Sequence, residues 1–139
     1  MEQAILTLFA IIFGLIVIAA IAMKIFGGTK RSALDTERYR STWKTIETQS
    51  RDGASGRQLA VVNADKLLDA AMRDLGYRGQ TMGDRLKQHR TSFSDLNGIW
   101  EAHKLRNRIA HETGIEVTAR DTDKALAQLQ RGLKDLGAL

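Results

Sequence analysis

Residues 4–23, "AILTLFAIIFGLIVIAAIAM", contain no charge, and only Thr7 and Gly14 depart from an otherwise apolar run. A helix apolar on every side needs apolar surroundings on every side. Twenty residues at about 1.5 Å each would cover about 30 Å, the hydrocarbon thickness of a bilayer. The remaining residues of a 139-residue chain are too few to wrap such a helix as a buried core element. A cleavable signal peptide is the closest rival, because "AIA" at 20–22 resembles a cleavage site. Against it, the leading "MEQ" is acidic and the run exceeds the about 7–15 residues of a signal-peptide core. The expectation is therefore an uncleaved transmembrane anchor over 1–26.

The flanking charge sets its orientation. Glu2 precedes the run, whereas Lys24, Lys30, Arg31, Arg38, Arg40 and Lys44 follow it against only Asp35 and Glu37. The positive-inside rule puts that basic side in the cytoplasm, with the N-terminus outside and the C-terminal domain in the cytosol at the cell membrane. The same six cations account for most of the formal net charge of +5. They read as a surface-hugging juxtamembrane linker or helix over 27–50. Beyond residue 44, fifteen basic residues face thirteen acidic ones, so no broad basic face advertises a nucleic acid.

No proline occurs anywhere, so long helices run uninterrupted, and with no cysteine there is neither a disulfide framework nor a thiolate metal site. No segment keeps a two-residue alternation and there is no internal repeat. A polar helix fits about 32–50, with Leu34, Tyr39, Trp43 and Ile46 as its apolar positions. "RDGASGR" at 51–57 reads as a loop, with Ser55 capping the helix that follows. In that helix Ala60, Ala64, Leu67, Leu68, Ala71 and Leu75 recur at helical spacing, Asp69 and Arg73 form an i,i+4 pair, and Gly76 ends it. Thr81 and Asp84 open a short helix from Met82 to about Arg90. A long helix from Ser94 or Asp95 reaches Thr113 and stops at Gly114, and 115–117 read as an extended connection. A last helix over about 121–136 carries Leu126, Leu129, Leu133 and Leu136 as one stripe. The fold class expected is all-α: an N-terminal single transmembrane helix, then an antiparallel bundle of about four helices over 51–139.

Polar residues interrupt the long helix at "KLRNRIAHE", 104–112. At about 100° per residue, Leu96, Ile99, Trp100, His103, Arg106, Asn107, Ala110 and His111 share an arc of about 140°. His103, Asn107 and His111 stack at i, i+4 and i+8, with Arg106 beside them, while Glu101, Lys104, Arg108 and Glu112 point away. A packed helix has a structural use for such groups: Arg106 can pair with Asp65 or Asp69, Asn107 can bond across the bundle, and a charged His111 suits a helix C-terminus. It has a chemical use as well, since histidine moves protons near neutral pH and the arginine fork holds phosphate oxygens.

"LRNRIAH" at 105–111 resembles the signature of the HEPN superfamily (higher eukaryotes and prokaryotes nucleotide-binding): Arg106, polar Asn107, three variable residues, then His111. The resemblance covers roughly 45–137. The wider pattern, "ADKLLDAAMRDLGYRG" followed by "WEAHKLRNRIAHE", is similar to small bacterial membrane proteins carrying such a domain. It implies a small up-and-down helical bundle with the motif on a late long helix and one helix after it. It implies metal-independent RNA cleavage, or RNA or nucleotide binding in members without activity. By this resemblance Arg106 would offset transition-state charge, Asn107 would orient His111 or the phosphate, and His111 would transfer the proton. Two motifs would meet in a homodimer through the motif helix. His103 lies outside the signature and stands as an accessory imidazole. The alternative function is a non-catalytic scaffold, adaptor or subunit of an envelope assembly.

Other chemistries lack their residues. "GDRLKQ" is missing the first glycine and the Ser/Thr of a phosphate-binding loop. His103 and His111 lack the HExxH carboxylate of a zinc site, and "DTD" at 121–123 is a helix start rather than a calcium loop. No cofactor and no metal is expected, and nothing in the sequence identifies a small-molecule substrate.

Overall fold

The computed structural model describes residue 9, residues 11–21 and residues 34–139. The chain divides into two compact units, Met1–Arg31 and Ser32–Leu139. In the first, the described residues are helical, and Phe9, Ile11, Phe13 and Ile18 are exposed. Among the described residues no helix is long and apolar enough to cross a membrane. This corrects the transmembrane helix expected over 4–23, and the membrane-spanning character with it. The helical residues described there are residue 9 and residues 11–21; the rest of the 4–23 run lies outside the described residues. The basic residues at 24, 30 and 31 lie outside the described residues as well.

The second unit is built from four long helices and one short one: α1 (Thr36–Gln49), α2 (Gly53–Asp74), α3 (Met82–Gln88), α4 (Leu96–His111) and α5 (Ala119–Asp135), with a 3-10 turn over Arg90–Ser92. No strand occurs among the described residues. Helix α2 is the hub and packs against α1, α4 and α5, while α4 and α5 also pack on each other. Cross-links show α1 and α2, and likewise α4 and α5, to be antiparallel. Gln49 meets Asn63 near the α1–α2 joint, while Arg38 and Tyr39 meet Asp74 at the far end. Asp95 faces Arg131 at the start of α4, and Glu101 faces Lys124 further along.

Helix α1 belongs to this bundle rather than to a separate linker over 27–50. Tyr39, Trp43 and Ile46, spaced i, i+4, i+7, are buried in the common core. The Tyr39 hydroxyl donates to Asp74 Oδ2 at 2.8 Å, and burial, reinforced by that carboxylate, pushes its pKa up to about 12. The loop expected at 51–57 is mostly helix, because α2 starts at Gly53. Gly56 serves close approach, since a Cβ there would collide with the Gln49 carbonyl and the Asp52 side chain. Asp52 occupies the N-cap position assigned to Ser55, without a side-chain cap bond.

The remaining joints follow local chemistry. Gly76, at φ +74°, ends α2 in the left-handed region that glycine enters without strain. Thr81 and Asp84 cap α3 reciprocally, and the Thr81 hydroxyl, aided by its N–H, holds the Asp84 carboxyl below the usual range. Thr118 and Asp121 repeat that arrangement and start α5 at Ala119. In the connection before it, Arg57 Nε donates to the Val117 carbonyl at 2.9 Å and Gln58 Nε2 to the Ile115 carbonyl at 2.8 Å. These side chains of α2 take the acceptors that a strand would have offered to a neighbour. The α5 stripe packs as its spacing requires: Leu129 and Leu133 are wholly buried, and Leu126 nearly so.

Candidate functional site

Two carboxylates one helical turn apart organise the polar face of α2. Asp65, Asp69 and Arg73 follow each other at i, i+4, i+8, beside the core row of Ala64, Leu68 and Met72. Asp65 is 2 % exposed, and a carboxylate that deep must be paired. Helix α4 supplies both partners. His103 Nδ1 lies 2.9 Å from Asp65 Oδ1, and Arg106 Nε lies 3.3 Å from Asp65 Oδ2. Asp69 is bracketed in the same way from other elements. Arg85 of α3 brings Nε and Nη2 to Asp69 Oδ1 at 2.9 and 2.6 Å, and Arg73 Nε approaches Oδ2 at 3.5 Å. Arg85 also donates Nη1 to the Gly79 carbonyl, which fixes the loop before α3.

These groups line an open cleft of about 520 Å³ between α2, α3 and α4, which Lys66, Gln80, Thr81 and Asn107 complete. Arg106 donates Nη1 to Asn107 Oδ1 at 2.9 Å. Its Nε is buried and makes no hydrogen bond, so it holds Asp65 by charge alone. An ionised carboxylate can only accept, so the close contact at Asp65 places a proton on His103 Nδ1, and in the neutral ring Nε2 is then the acceptor. The imidazole also meets the Trp100 ring edge-on, with centroids 5.8 Å apart. Among the described residues no three His, Asp or Glu side chains converge as a metal site would require.

The structure brings Arg106, Asn107 and His103 to this cleft and leaves His111 out. His111 is the last residue of α4; it is exposed and does not line the cleft. Five positions separate it from Arg106, which turns the two side chains about 140° apart on the helix. The buried face of α4 is also rotated from the expected arc. It runs through Gly98, Ile99 and Ala102, with Leu105 and Ile109 partly covered. Arg106 and His103 therefore sit at the edge of the core, on the side facing α2. Sequence reasoning weighed Asp65 and Asp69 only as structural partners and missed Arg85. "GDRLKQ" had one visible clue: Arg85 lies between Met82 and Leu86, a cation next to apolar positions on a seven-residue helix.

No family model matches the chain, and no curated protein or solved structure matches it.

Proposed function

We propose that the bundle is a HEPN-like module that binds RNA or nucleotides through their phosphates, with Arg106 and Asn107 contacting the ligand in the cleft. The observation that carries this reading is the charge of the cleft: Lys66, Arg73, Arg85 and Arg106 line it against only Asp65 and Asp69. A concave, partly desolvated surface with surplus positive charge concentrates anions, and guanidinium groups suit phosphate oxygens. The order of helices agrees, with the motif on α4 and one further helix after it. Cleavage of the kind the motif implies needs His111, whose exposed position on α4 leaves it free to meet a second copy across a two-fold axis.

The test is binding of a labelled single-stranded oligoribonucleotide to the full chain at several salt concentrations. Each phosphate contact contributes a slope of about −0.7 in log affinity against log salt. Arg106→Met and Lys66→Met should each weaken binding and flatten that slope by about 0.7. Unchanged affinity in Arg106→Met would refute the reading.

One observation favours the scaffold reading as well: Asp65 and Asp69 each hold two basic side chains, as a purely structural network would. If the network is only structural, the parent binds no RNA and Arg106→Met lowers stability by about 1–3 kcal/mol through the group left unpaired.

A further inference from the structure

His103 and Arg106 lie one turn apart on α4 and grip opposite oxygens of the same buried carboxylate. Both keep one polar atom unused. His103 Nε2 makes no hydrogen bond among the described residues and is not sealed off, so it opens to the cleft. The same holds for Arg106 Nη2, since only Nη1 is engaged, by Asn107. The cleft therefore presents an unpartnered imidazole nitrogen, an acceptor in the neutral ring, beside a free guanidinium donor. The carboxylate that aligns them is itself out of reach, with a side chain 3 % exposed. A histidine that only filled space at the core edge would need neither the carboxylate at Nδ1 nor an unblocked Nε2.

We infer that His103, oriented by Asp65, is the proton acceptor of an RNA-cleaving site contained in one chain, with Arg106 holding the scissile phosphate. This rests on the RNA-binding reading and assigns its chemistry to His103 rather than to His111. In the step, His103 Nε2 takes the proton of a ribose 2′-hydroxyl. The freed oxygen attacks the adjacent phosphorus, and the bond from phosphorus to the 5′-oxygen breaks. That 5′-oxygen takes a proton from water, and His103 later returns its own to solvent. The products, a 2′,3′-cyclic phosphate and a 5′-hydroxyl, together have the composition of the starting strand. Arg106 Nη2 offsets the charge that builds on the phosphate oxygens. Asp65 is a positioning residue: it fixes the tautomer and stabilises the imidazolium once formed.

The test uses the full chain, a mixed-sequence single-stranded RNA in the presence of a chelator, and the same strand with 2′-O-methyl groups, which can bind but cannot be cut. The expected result is cleavage to cyclic-phosphate ends. His103→Gln should lower the rate about 100-fold or more, as loss of a general base does, while the 2′-O-methyl strand still binds. Asp65→Asn should lower the rate and also move the pH–rate profile, because an amide can leave the wrong ring nitrogen protonated. Lys66, Asp69, Arg73 and Arg85 also face the cleft beside the imidazole. His103→Ala, with added imidazole restoring cleavage, keeps the test decisive should the glutamine variant not fold. Cleavage that survives His103→Gln but is lost in His111→Gln would overturn the assignment. A bound 2′-O-methyl strand with an uncut RNA strand would overturn it and leave the binding reading standing. Binding of neither strand would remove both.

Discussion

Gly132 lies where α2, α4 and α5 meet, and its replacement by alanine sets two effects of similar size against each other. In the interior of a helix, alanine is more favourable than glycine by about 1 kcal/mol. A Cβ at 132 would stand 2.9 Å from Ile99 Cδ1 and 3.2 and 3.3 Å from the two Leu68 methyl carbons. Ile99 and Leu68 are both wholly buried, so their tips have little room to retreat. Overpacking of that kind costs about 1–3 kcal/mol, which outweighs the helical gain. Gly132→Ala should therefore lose about 1 kcal/mol, or about 4–8 °C in Tm for a bundle of this size. Ile99→Val removes the atom nearest the new Cβ and by itself costs about 0.5–1.5 kcal/mol. In the double variant the alanine should be tolerated better by about 1 kcal/mol, as coupled neighbours allow. Urea unfolding of the four proteins gives each term. A gain of about 1 kcal/mol from Gly132→Ala alone, or a cycle that adds within about 0.3 kcal/mol, would refute the three-helix contact.

Leu129 is wholly buried in the α5 stripe, so Leu129→Ala should cost about 2–5 kcal/mol in denaturant unfolding; a loss under about 0.5 would redraw the packing of α5. Thr118→Ala removes one half of a reciprocal cap and should cost about 1 kcal/mol by the same measurement, whereas Thr118→Ser keeps the hydroxyl and should cost little. The Tyr39 phenol, raised in the folded state to about 12, holds its proton where the unfolded chain has already lost it. Its contribution is thus full below about pH 10 and is lost as pH rises toward about 12. Tyr39→Phe should flatten that alkaline decline, and phenolate absorbance in the parent should show one late-titrating tyrosine.

The elements that were legible in the sequence are those whose signal is local. The leucine spacing of α5, the Thr81–Asp84 cap and the stop at Gly76 each depend on residues within a turn or two of one another. Gly56 misled because glycine has two uses. It was read as loop chemistry, whereas the chain needs it for backbone contact with Gln49, a fact that exists only once α1 and α2 have packed. The buried face of α4 was misplaced by about a quarter turn for a related reason. Leu96 and Trp100 are the larger apolar groups, but Ile99 and Ala102 face the core, and α5 approaches closely at Ile99 through Gly132. At the site, Arg106, Asn107 and His103 were legible as an interrupted helix face, and Asp65 was named among the partners open to Arg106. The contribution of Arg85 was not, because it reaches Asp69 from a separate element and no spacing within one helix encodes that meeting.

Asp65 follows Ala64 directly and lies one turn before Leu68. The buried alanines at 60, 64 and 71 keep the hub helix slim where its neighbours press against it. Leu68, at the point where Gly132 and Ile99 meet, packs beside that carboxylate's turn, so the fit there also sets how far α4 stands from α2, and so how His103 and Arg106 meet Asp65. Ordinary packing residues and cleft residues share one ruler. A change from glycine to alanine at position 132 would press on Ile99 and Leu68 and so alter the polar grip without touching a polar atom, so the interior of this bundle and its cleft cannot drift apart independently over evolutionary time.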